Sequence, residues 1–314
     1  QIQTIRTQGD IDLEKSIEDL GGKAAFTSEL EAAILNQTID VAVHSLKDLP
    51  VKLPNDLIYL GSPSREDVRD AFVSNKWQEI SEIPDNGVIA TGSFRRKAQL
   101  LSLRPDLQIQ GLRGNIDTRI KKLDNSDWDG IIIAAAAMHR LGLHDRISKY
   151  LDHADFVPAS GQGALGLEIH VNREDLKEKL SNIMDHSVTL CCRAERLFLS
   201  QIDGGCFAPI GCFARLDEKL GFIITGYVAS MDGKNELKKT VHGDIYKAEN
   251  LAMKLAEDMI SSAAENGADY CKFQTWSEDK LKPGLWDTDG RREIYKEAQL
   301  SEDDHHFLKE VCSK

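Results

Sequence analysis

Short apolar segments rich in β-branched residues alternate along the first half of this chain with segments of helical spacing. Residues 41–43 (VAV), 87–90 (GVIA) and 131–133 (III) have the composition of buried strands. Helices are predicted at about 94–103 and in the segment that ends near Leu123. Parallel strands need long crossover connections, and helices then cover both faces of the sheet. The alternation therefore predicts an α/β fold with parallel-rich sheets.

The second half of the chain has a different pattern. A helix is predicted from Ser187, a strand at 222–228, a hairpin turn at 231–234 and an amphipathic helix at 248–264. This combination is typical of a small α+β domain. At the other end of the chain, residues 1–5 alternate between polar and apolar types, which predicts a strand.

Charge and cysteine content narrow the class of protein. The 314 residues carry a net charge of −12, which argues against nucleic-acid binding, because such proteins are basic overall. The longest apolar run, residues 131–138, is shorter than the ~18 residues that a membrane helix needs. The six cysteines, with Cys191 and Cys192 adjacent, show neither zinc-site spacing nor a disulfide framework. We therefore expect no metal site and a reducing, cytoplasmic location.

The chain begins with Gln1 within a strand-like pattern and without an initiator methionine. We expect that an N-terminal portion is missing. Organellar targeting consequently stays open.

The strand at 41–43 continues into a polar turn that places Lys47 beside Asp48 and is closed by Pro50. Loops at the carboxyl ends of strands are where α/β sheets bind ligands. A carboxylate beside an ammonium group at such a place is a candidate for acid–base or charge-stabilising chemistry. The alternative is a surface turn with two solvated charges.

Three consecutive cations, Arg95, Arg96 and Lys97, fall in the first turn of a predicted helix. Cations are disfavoured there by up to about 1 kcal/mol each, because the helix dipole already presents positive charge. A bound anion would explain the cluster. The alternative is that these side chains point into water.

Arginines recur after the following strands, at Arg113, Arg119 and Arg140. Loops that follow parallel strands meet at one edge of the sheet, so these side chains are expected in one cleft. Arginine binds carboxylates through two hydrogen bonds and keeps its charge. The cleft therefore indicates a substrate with several negative groups; phosphate also fits, although no P-loop is present.

Cys206 follows two glycines and precedes Pro209, a loop that would expose its thiol to a large or covalently attached group. The alternative is a buried cysteine that packs as a small apolar residue. A cysteine hydrolase is a weaker alternative, because no Cys–His pairing is evident. The packing role is predicted for Cys191, Cys192, Cys212 and Cys271.

Five segments occur in an order that resembles one enzyme family: 44–50 (HSLKDLP), 92–96 (GSFRR), 112–115 (LRGN), 161–164 (GQGA) and 204–206 (GGC). The chain resembles the hydroxymethylbilane synthases, also called porphobilinogen deaminases, from about Thr4 to about Ala268. The resemblance implies two lobes like those of periplasmic binding proteins, with the active site between them, and a third domain. It also implies that four porphobilinogen units are added in turn to a dipyrromethane cofactor, each losing ammonia, before water releases the linear tetrapyrrole.

The resemblance further implies roles for particular residues. Asp48 resembles the catalytic carboxylate, which would hold pyrrole N–H groups and stabilise the azafulvenium cation left when ammonia departs. Cys206 resembles the cysteine that carries the cofactor through a thioether. The other cofactor contacts, including those to acetate and propionate groups, would be Ser45, Lys47, Thr91, Ser93, Arg95, Arg96, Arg113 and Gly114. The substrate contacts would be Lys23, Arg95, Arg119, Arg140 and Gln162.

The expected division of the chain follows from these segments. Domain 1 comprises residues 1–63 and 164–181, domain 2 residues 69–158, domain 3 residues 186–275, and residues 276–314 form a polar extension. Hinges are expected at 62–68 and 159–163. We expect a monomer whose partner is the small molecule porphobilinogen, with no nucleic acid and no membrane.

Two departures from the family pattern leave alternatives open. The Arg-x-Ser-x-Leu-Ala-like motif with which the family normally begins is not matched in this sequence. The tail after Cys271 also extends beyond the family's usual end. The alternatives are a truncated, inactive member of the family and a non-catalytic polycarboxylate-binding protein.

Overall fold

The structure of this chain is a computed structural model that describes residues 1–11, 25–202 and 208–265. Its contacts divide the chain into two compact units, Gln1–Ala256 and Glu257–Lys314. The helices are α1 (Gln8–Ile11), α2 (Ser28–Leu35), α3 (Phe94–Leu103), α4 (Ile116–Asp124), α5 (Ala135–Arg140), α6 (Glu174–Ser181), α7 (His186–Ile202) and α8 (Ala248–Glu265). The strands are β1 (Ala42–Ser45), β2 (Leu57–Gly61), β3 (Asp70–Val73), β4 (Val88–Ala90), β5 (Gln108–Gln110), β6 (Gly130–Ala134), β7 (Lys149–Leu151), β8 (Leu165–His170), β9 (Ile210–Asp217), β10 (Gly221–Ala229) and β11 (Glu236–Gly243).

The largest sheet has the strand order β5–β4–β6–β3–β7. β4 pairs in parallel with both β5 and β6, whereas β3 pairs antiparallel with β6 and β7. Successive side chains of a strand point to opposite faces. Ile131 and Ile133 accordingly pack in one core with Ile120 of α4, and Ile132 packs in another with Leu100 of α3. The predicted α/β class, with helices on both faces of a sheet, is confirmed.

A second sheet has the order β1–β8–β2, and both of its pairings are antiparallel. Its central strand, β8, comes from a part of the chain that follows all five strands of the largest sheet. α2 packs against β1 and β8. The chain therefore leaves this sheet after β2 through residues 62–68 and returns to it through residues 159–163, and we call these two stretches the connecting segments.

The third sheet is an antiparallel meander of β9, β10 and β11 with β10 in the centre. α7 packs against β9. The Cys212 N–H donates to the Pro158 carbonyl at 3.0 Å. This bond joins β9 to the segment that follows the largest sheet.

The prediction of a strand at residues 1–5 is wrong. Residues 1–7 form no strand, and Ile2 is 96% exposed. Alternation alone does not make a strand, because the backbone also needs a neighbour with which to exchange hydrogen bonds. Among the helices that the structure describes, none has the length and apolar content needed to cross a bilayer.

Candidate active site

The turn after β1 is anchored by two buried leucines. β1 runs into a 3-10 turn, Leu46–Asp48, and Leu46 and Leu49 are 1% and 0% exposed. The Leu46 N–H donates to the Ala164 carbonyl at 3.0 Å. Lys47 and Asp48, between the two leucines, are half-buried. The fold thus fixes the backbone of this turn and leaves its two charged residues partly accessible.

Two glycines of the segment 159–163 allow it to approach this turn closely. Gly161 has a φ of +75°, and a Cβ built there would lie 3.1 Å from the backbone nitrogen of Lys47. Gly163 has a φ of +84°, and its Cβ would lie 2.4 Å from the Glu66 carbonyl oxygen. Only glycine adopts these backbone angles readily and leaves this space free. The segment 159–163 therefore contacts both the Lys47–Asp48 turn and the other connecting segment, residues 62–68.

Among the described residues, the cations around Asp48 outnumber the carboxylates. Burial lowers the pKa of Lys47 to about 8; Asp48 and Asp70 oppose this shift, while Arg96 and Arg119 add to it. Burial likewise lowers the pKa of Arg119 to about 10, with further contributions from Arg96 and Arg113. Lys47 and Arg119 form no ion pair with a carboxylate in the part of the chain that the structure describes. A ligand with carboxylate groups would relieve this repulsion.

A carboxylate of the chain itself binds Arg95 and Arg96. Asp70, the first residue of β3, is fully buried, and its two oxygens lie 2.7 Å from Arg95 Nη1 and 2.7 Å from Arg96 Nη2. Burial alone would raise the pKa of Asp70, but the two guanidinium groups hold it well below its usual range. The Gln162 amide also donates to Asp70 at 3.0 Å. Asp70 thus partly neutralises Arg95 and Arg96 at the start of α3. That these arginines also bind a ligand stays a prediction.

Comparison with known proteins identifies the family. Residues 1–178 match the profile described as "Porphobilinogen deaminase, dipyromethane cofactor binding domain", and residues 189–261 match "Porphobilinogen deaminase, C-terminal domain". The chain belongs to the porphobilinogen deaminase family. A porphobilinogen deaminase of Francisella tularensis subsp. holarctica (strain OSU18) is 45% identical over 264 residues, 84% of this chain and 87% of that protein. One from subsp. novicida (strain U112) is 44% identical over the same shares.

Solved structures similar to this chain include a periplasmic substrate-binding protein of an ABC transporter from Coxiella burnetii. That protein shares 15% sequence identity with a TM-score of 0.36, covering 50% of this chain and 76% of its own. A nutrient binding protein from Burkholderia cenocepacia bound to methionine shares 14% identity with a TM-score of 0.35, covering 48% and 73%.

The hydroxyl groups that the deaminase pattern places in the site lie at the start of α3. Thr91 is buried, and its Oγ1 accepts a hydrogen bond from the Ser93 N–H at 3.2 Å. Ser93 Oγ in turn accepts from the Arg96 N–H at 3.4 Å and caps the helix. Ser45 is exposed at the end of β1. Thr91 and Ser93 thus have a local structural role whether or not a ligand also contacts them.

The remaining cationic residues predicted for the site lie on two other loops. Arg119 Nε donates to the Gly114 carbonyl at 2.7 Å, and Gly114 itself has a φ of +112°. Arg113 Nη1 is buried without a hydrogen-bond partner among the described residues. Arg140 is exposed, and its Nη2 donates to the Gly163 carbonyl at 2.8 Å. Cys206 and Lys23 lie outside the described residues.

The described part of the site fits a ligand with several carboxylates, as the dipyrromethane cofactor is expected to be. Arg113 Nη1 and Arg95 Nε are buried donors that no described acceptor satisfies. Buried donors normally find a partner, so both indicate room for an acceptor. The lowered pKa values of Lys47 and Arg119 indicate the same need for negative charge. Within the described residues, no group of three or more His, Cys, Asp or Glu side chains could hold a metal ion.

Sequence reasoning missed several buried charged residues around this site. They are Arg65, Asp70, Glu195 and Arg196. For Asp70 a signal existed, because a carboxylate that begins a fully buried strand must find a partner. For the other three, the Arg65–Glu195 ion pair and the bond from Arg196 to the Leu49 carbonyl join residues 130 or more positions apart, and no local pattern marks them.

Proposed function

We propose that Asp48 is the catalytic carboxylate of this chain. The chain is a hydroxymethylbilane synthase, a transferase that condenses porphobilinogen units with loss of ammonia and releases a linear tetrapyrrole by hydrolysis. The environment of the Asp48 carboxylate supports this assignment. It is a half-buried carboxylate beside cations that outnumber it, and it accepts no hydrogen bond from the described residues.

Both oxygens of Asp48 are therefore available to a substrate. A pyrrole N–H is a donor, and a carboxylate is the acceptor that binds it most strongly. Ammonia leaves the substrate's side chain with its bonding electron pair, so positive charge develops on the ring system that remains. A fixed carboxylate next to that ring stabilises the developing cation and lowers the barrier to its formation.

The cations around Asp48 have a different role, which is to bind carboxylates. Lys47 and Arg119 have lowered pKa values, which indicate unbalanced positive charge, and Arg113 has a buried Nη1 without a hydrogen-bond partner among the described residues. Asp70 already neutralises part of the charge of Arg95 and Arg96. We expect the first three to contribute most to ligand affinity, with Ser45, Thr91, Ser93, Gly114, Arg140, Gln162 and Lys23 as further contacts.

The dipyrromethane cofactor supplies, when bound through Cys206, the pyrrole carbon to which the first substrate unit is joined. The chain's own contribution is to hold this group. Lys47, Arg95, Arg96 and Arg113 would bind its carboxylates, because arginine and lysine donors are present there without enough acceptors.

We also propose the predicted division into three domains, a monomeric state and a cytoplasmic location. The three sheets support the division, because their strands fall in 1–63 with 164–181, in 69–158 and in 186–275. The thiols of Cys191, Cys192 and Cys212 are free and buried, which suits a reducing compartment. Light scattering of the purified protein tests the monomer, and fractionation of the source cells tests the location.

The intact mass of the purified protein is the first test of the function. We expect an excess equal to two linked pyrrole units, absent from a Cys206→Ala variant. Asp48→Asn should retain this excess, yet its turnover of porphobilinogen should fall about 100-fold or more, the effect of losing one electrostatic stabiliser. An unmodified parent protein that binds polycarboxylates without turnover would favour a binding protein. A modified Asp48→Asn variant with parental turnover would remove Asp48 from the mechanism.

A further inference from the structure

Arg196 is a buried cation that this mechanism does not use. It lies on α7 and is 8% exposed. Its Nη1 donates to the Leu49 carbonyl at 3.0 Å, and its Nη2 donates to the carbonyls of Pro50 at 2.6 Å and Val51 at 3.3 Å. The guanidinium carbon lies 5.3 Å from the centre of the Tyr59 ring. No carboxylate of the described residues forms an ion pair with it.

A buried guanidinium without an ion-pair partner among the described residues needs an explanation. Burial lowers the pKa of Arg196, which indicates that the charged form is disfavoured at this place. Carbonyl dipoles offset only part of the hydration that a buried charge loses. An apolar side chain of similar length could fill the same space without this penalty. The charge is explained instead by what its hydrogen bonds hold, which is the backbone of residues 49–51.

That backbone begins one residue after Asp48. The entry to the turn is already fixed, because β1 pairs with β8 and the Leu46 N–H bonds to the Ala164 carbonyl. The exit is held by the Leu49 N–H, which donates to the Leu46 carbonyl at 3.2 Å, and by Arg196. Since the Asp48 carboxylate has no hydrogen bond to the described residues, its direction follows from the backbone of the turn.

We propose that Arg196 is a positioning residue, which fixes the exit of the Leu46–Asp48 turn and thereby directs the Asp48 carboxylate. The proposal rests on the role assigned to Asp48 above. It also gives α7 a second purpose: this helix ends at Ile202, four residues before Cys206 in the sequence. One helix would then both fix the catalytic turn and lead to the segment that carries the cofactor.

Arg193 provides a matched control on the same helix. It is exposed, lies three residues before Arg196, and donates through Nη2 to the Leu60 carbonyl of β2 at 3.0 Å, not to the turn. Arg196→Met keeps the length of the side chain and removes its donors, whereas Arg196→Lys keeps one charged donor group. We expect Arg196→Met to lower kcat about tenfold or more with KM within about twofold, since remote misplacement of a catalytic group has such effects. Arg196→Lys should recover part of kcat, and Arg193→Met should change neither constant.

Hydrogen exchange of the holoenzyme gives a readout that does not depend on turnover. All variants are first checked by intact mass for equal cofactor content. In Arg196→Met we expect faster exchange at the backbone N–H groups of residues 46–53, with the strands of the largest sheet unchanged. Arg193→Met should exchange like the parent throughout.

Several outcomes would overturn the proposal. Parental kcat in Arg196→Met would do so, as would unchanged exchange at residues 46–53. A uniform rise in exchange across the chain, or failure of both Arg196 variants to fold, would make Arg196 a structural residue only. A raised KM with parental kcat would make it a binding residue. The exchange result decides whether Arg196 holds the turn even if Asp48 proves not to be the catalytic carboxylate.

Discussion

Glu195→Gln should be strongly destabilising, because Glu195 joins three separate segments of the chain. Its Oε1 and Oε2 accept from Arg65 Nη1 at 2.7 Å and Nη2 at 3.0 Å. The same oxygens accept the backbone N–H groups of Ala214 at 2.8 Å and Gly161 at 2.7 Å. The Glu195 side chain is fully buried, and that of Arg65 is 8% exposed. Burial opposes the charge of Arg65, yet Glu195 holds the pKa of Arg65 above its usual range.

The expected size of the effect follows from this burial. Glutamine has nearly the same shape, but it removes the negative charge and replaces one acceptor oxygen by an NH2 group. Arg65 is then a buried charge without a counter-charge, and one backbone N–H loses its acceptor. Breaking a buried ion pair in this way costs about 3–5 kcal/mol. At roughly 2 °C for each kcal/mol in a protein of this size, the Tm should fall by about 6–10 °C.

Thermal unfolding followed by circular dichroism measures this difference. The matched control is Glu79→Gln, because Glu79 forms an ion pair of similar length, 2.6 Å to Lys149 Nζ, between side chains that are 49% and 52% exposed. Exposed pairs contribute little to stability, so the Tm of the control should be nearly unchanged. Equal shifts in both variants, or a shift below about 2 °C in Glu195→Gln, would refute the reasoning from burial.

Two further predictions concern the turn and its glycines. Lys47→Arg should extend kcat/KM to higher pH: burial lowers the pKa of Lys47 to about 8, so its amine loses its charge and its attraction for carboxylates as the pH rises through that value, whereas a guanidinium stays charged. A pH–rate profile with the same alkaline limit in both proteins would contradict this. Gly163→Ala should lower stability by more than the ~1–2 kcal/mol that its positive φ costs, because the new Cβ would lie 2.4 Å from the Glu66 carbonyl oxygen. Gly142→Ala is the control, because Gly142 has a φ of +68° but nothing within 4 Å of the position of its Cβ. Urea titration gives the free energy of unfolding of both variants, and equal losses would show that the close contact at Gly163 contributes nothing.

Local signals in the sequence predicted the elements well. The helix expected at 94–103 has those bounds, because Ser93 caps its first turn and Pro105 follows its end. The strands predicted at 131–133 and 222–228 are each one residue longer at both ends. Periodicity and capping act within a few residues, so the sequence displays them directly.

Pairing between distant segments could not be predicted in the same way. The parallel pairing of β4 with β5 and β6 follows from the strand–helix alternation, but β3 inserts antiparallel beside β6, and β8 returns to the sheet of β1 and β2. These choices depend on which apolar faces meet after the chain has folded. The same limit applies to Arg95 and Arg96. Their place in the first turn of a helix predicted a bound anion, but it did not show that Asp70, 25 residues before Arg95, bonds to both side chains.

The two connecting segments, 62–68 and 159–163, are hydrogen-bonded to each other at Gln162 and Gly163. The Glu66 N–H donates to the Gly163 carbonyl at 3.1 Å, and Arg65 Nε donates to the Gln162 carbonyl at 2.9 Å. Two connections fixed side by side have fewer rotational degrees of freedom than two independent linkers. The two segments can bend together in the same direction. Twisting one segment relative to the other would stretch these hydrogen bonds. We therefore expect that any relative motion of the sheets on either side bends both segments together, so that a cleft between the sheets could widen for a longer product.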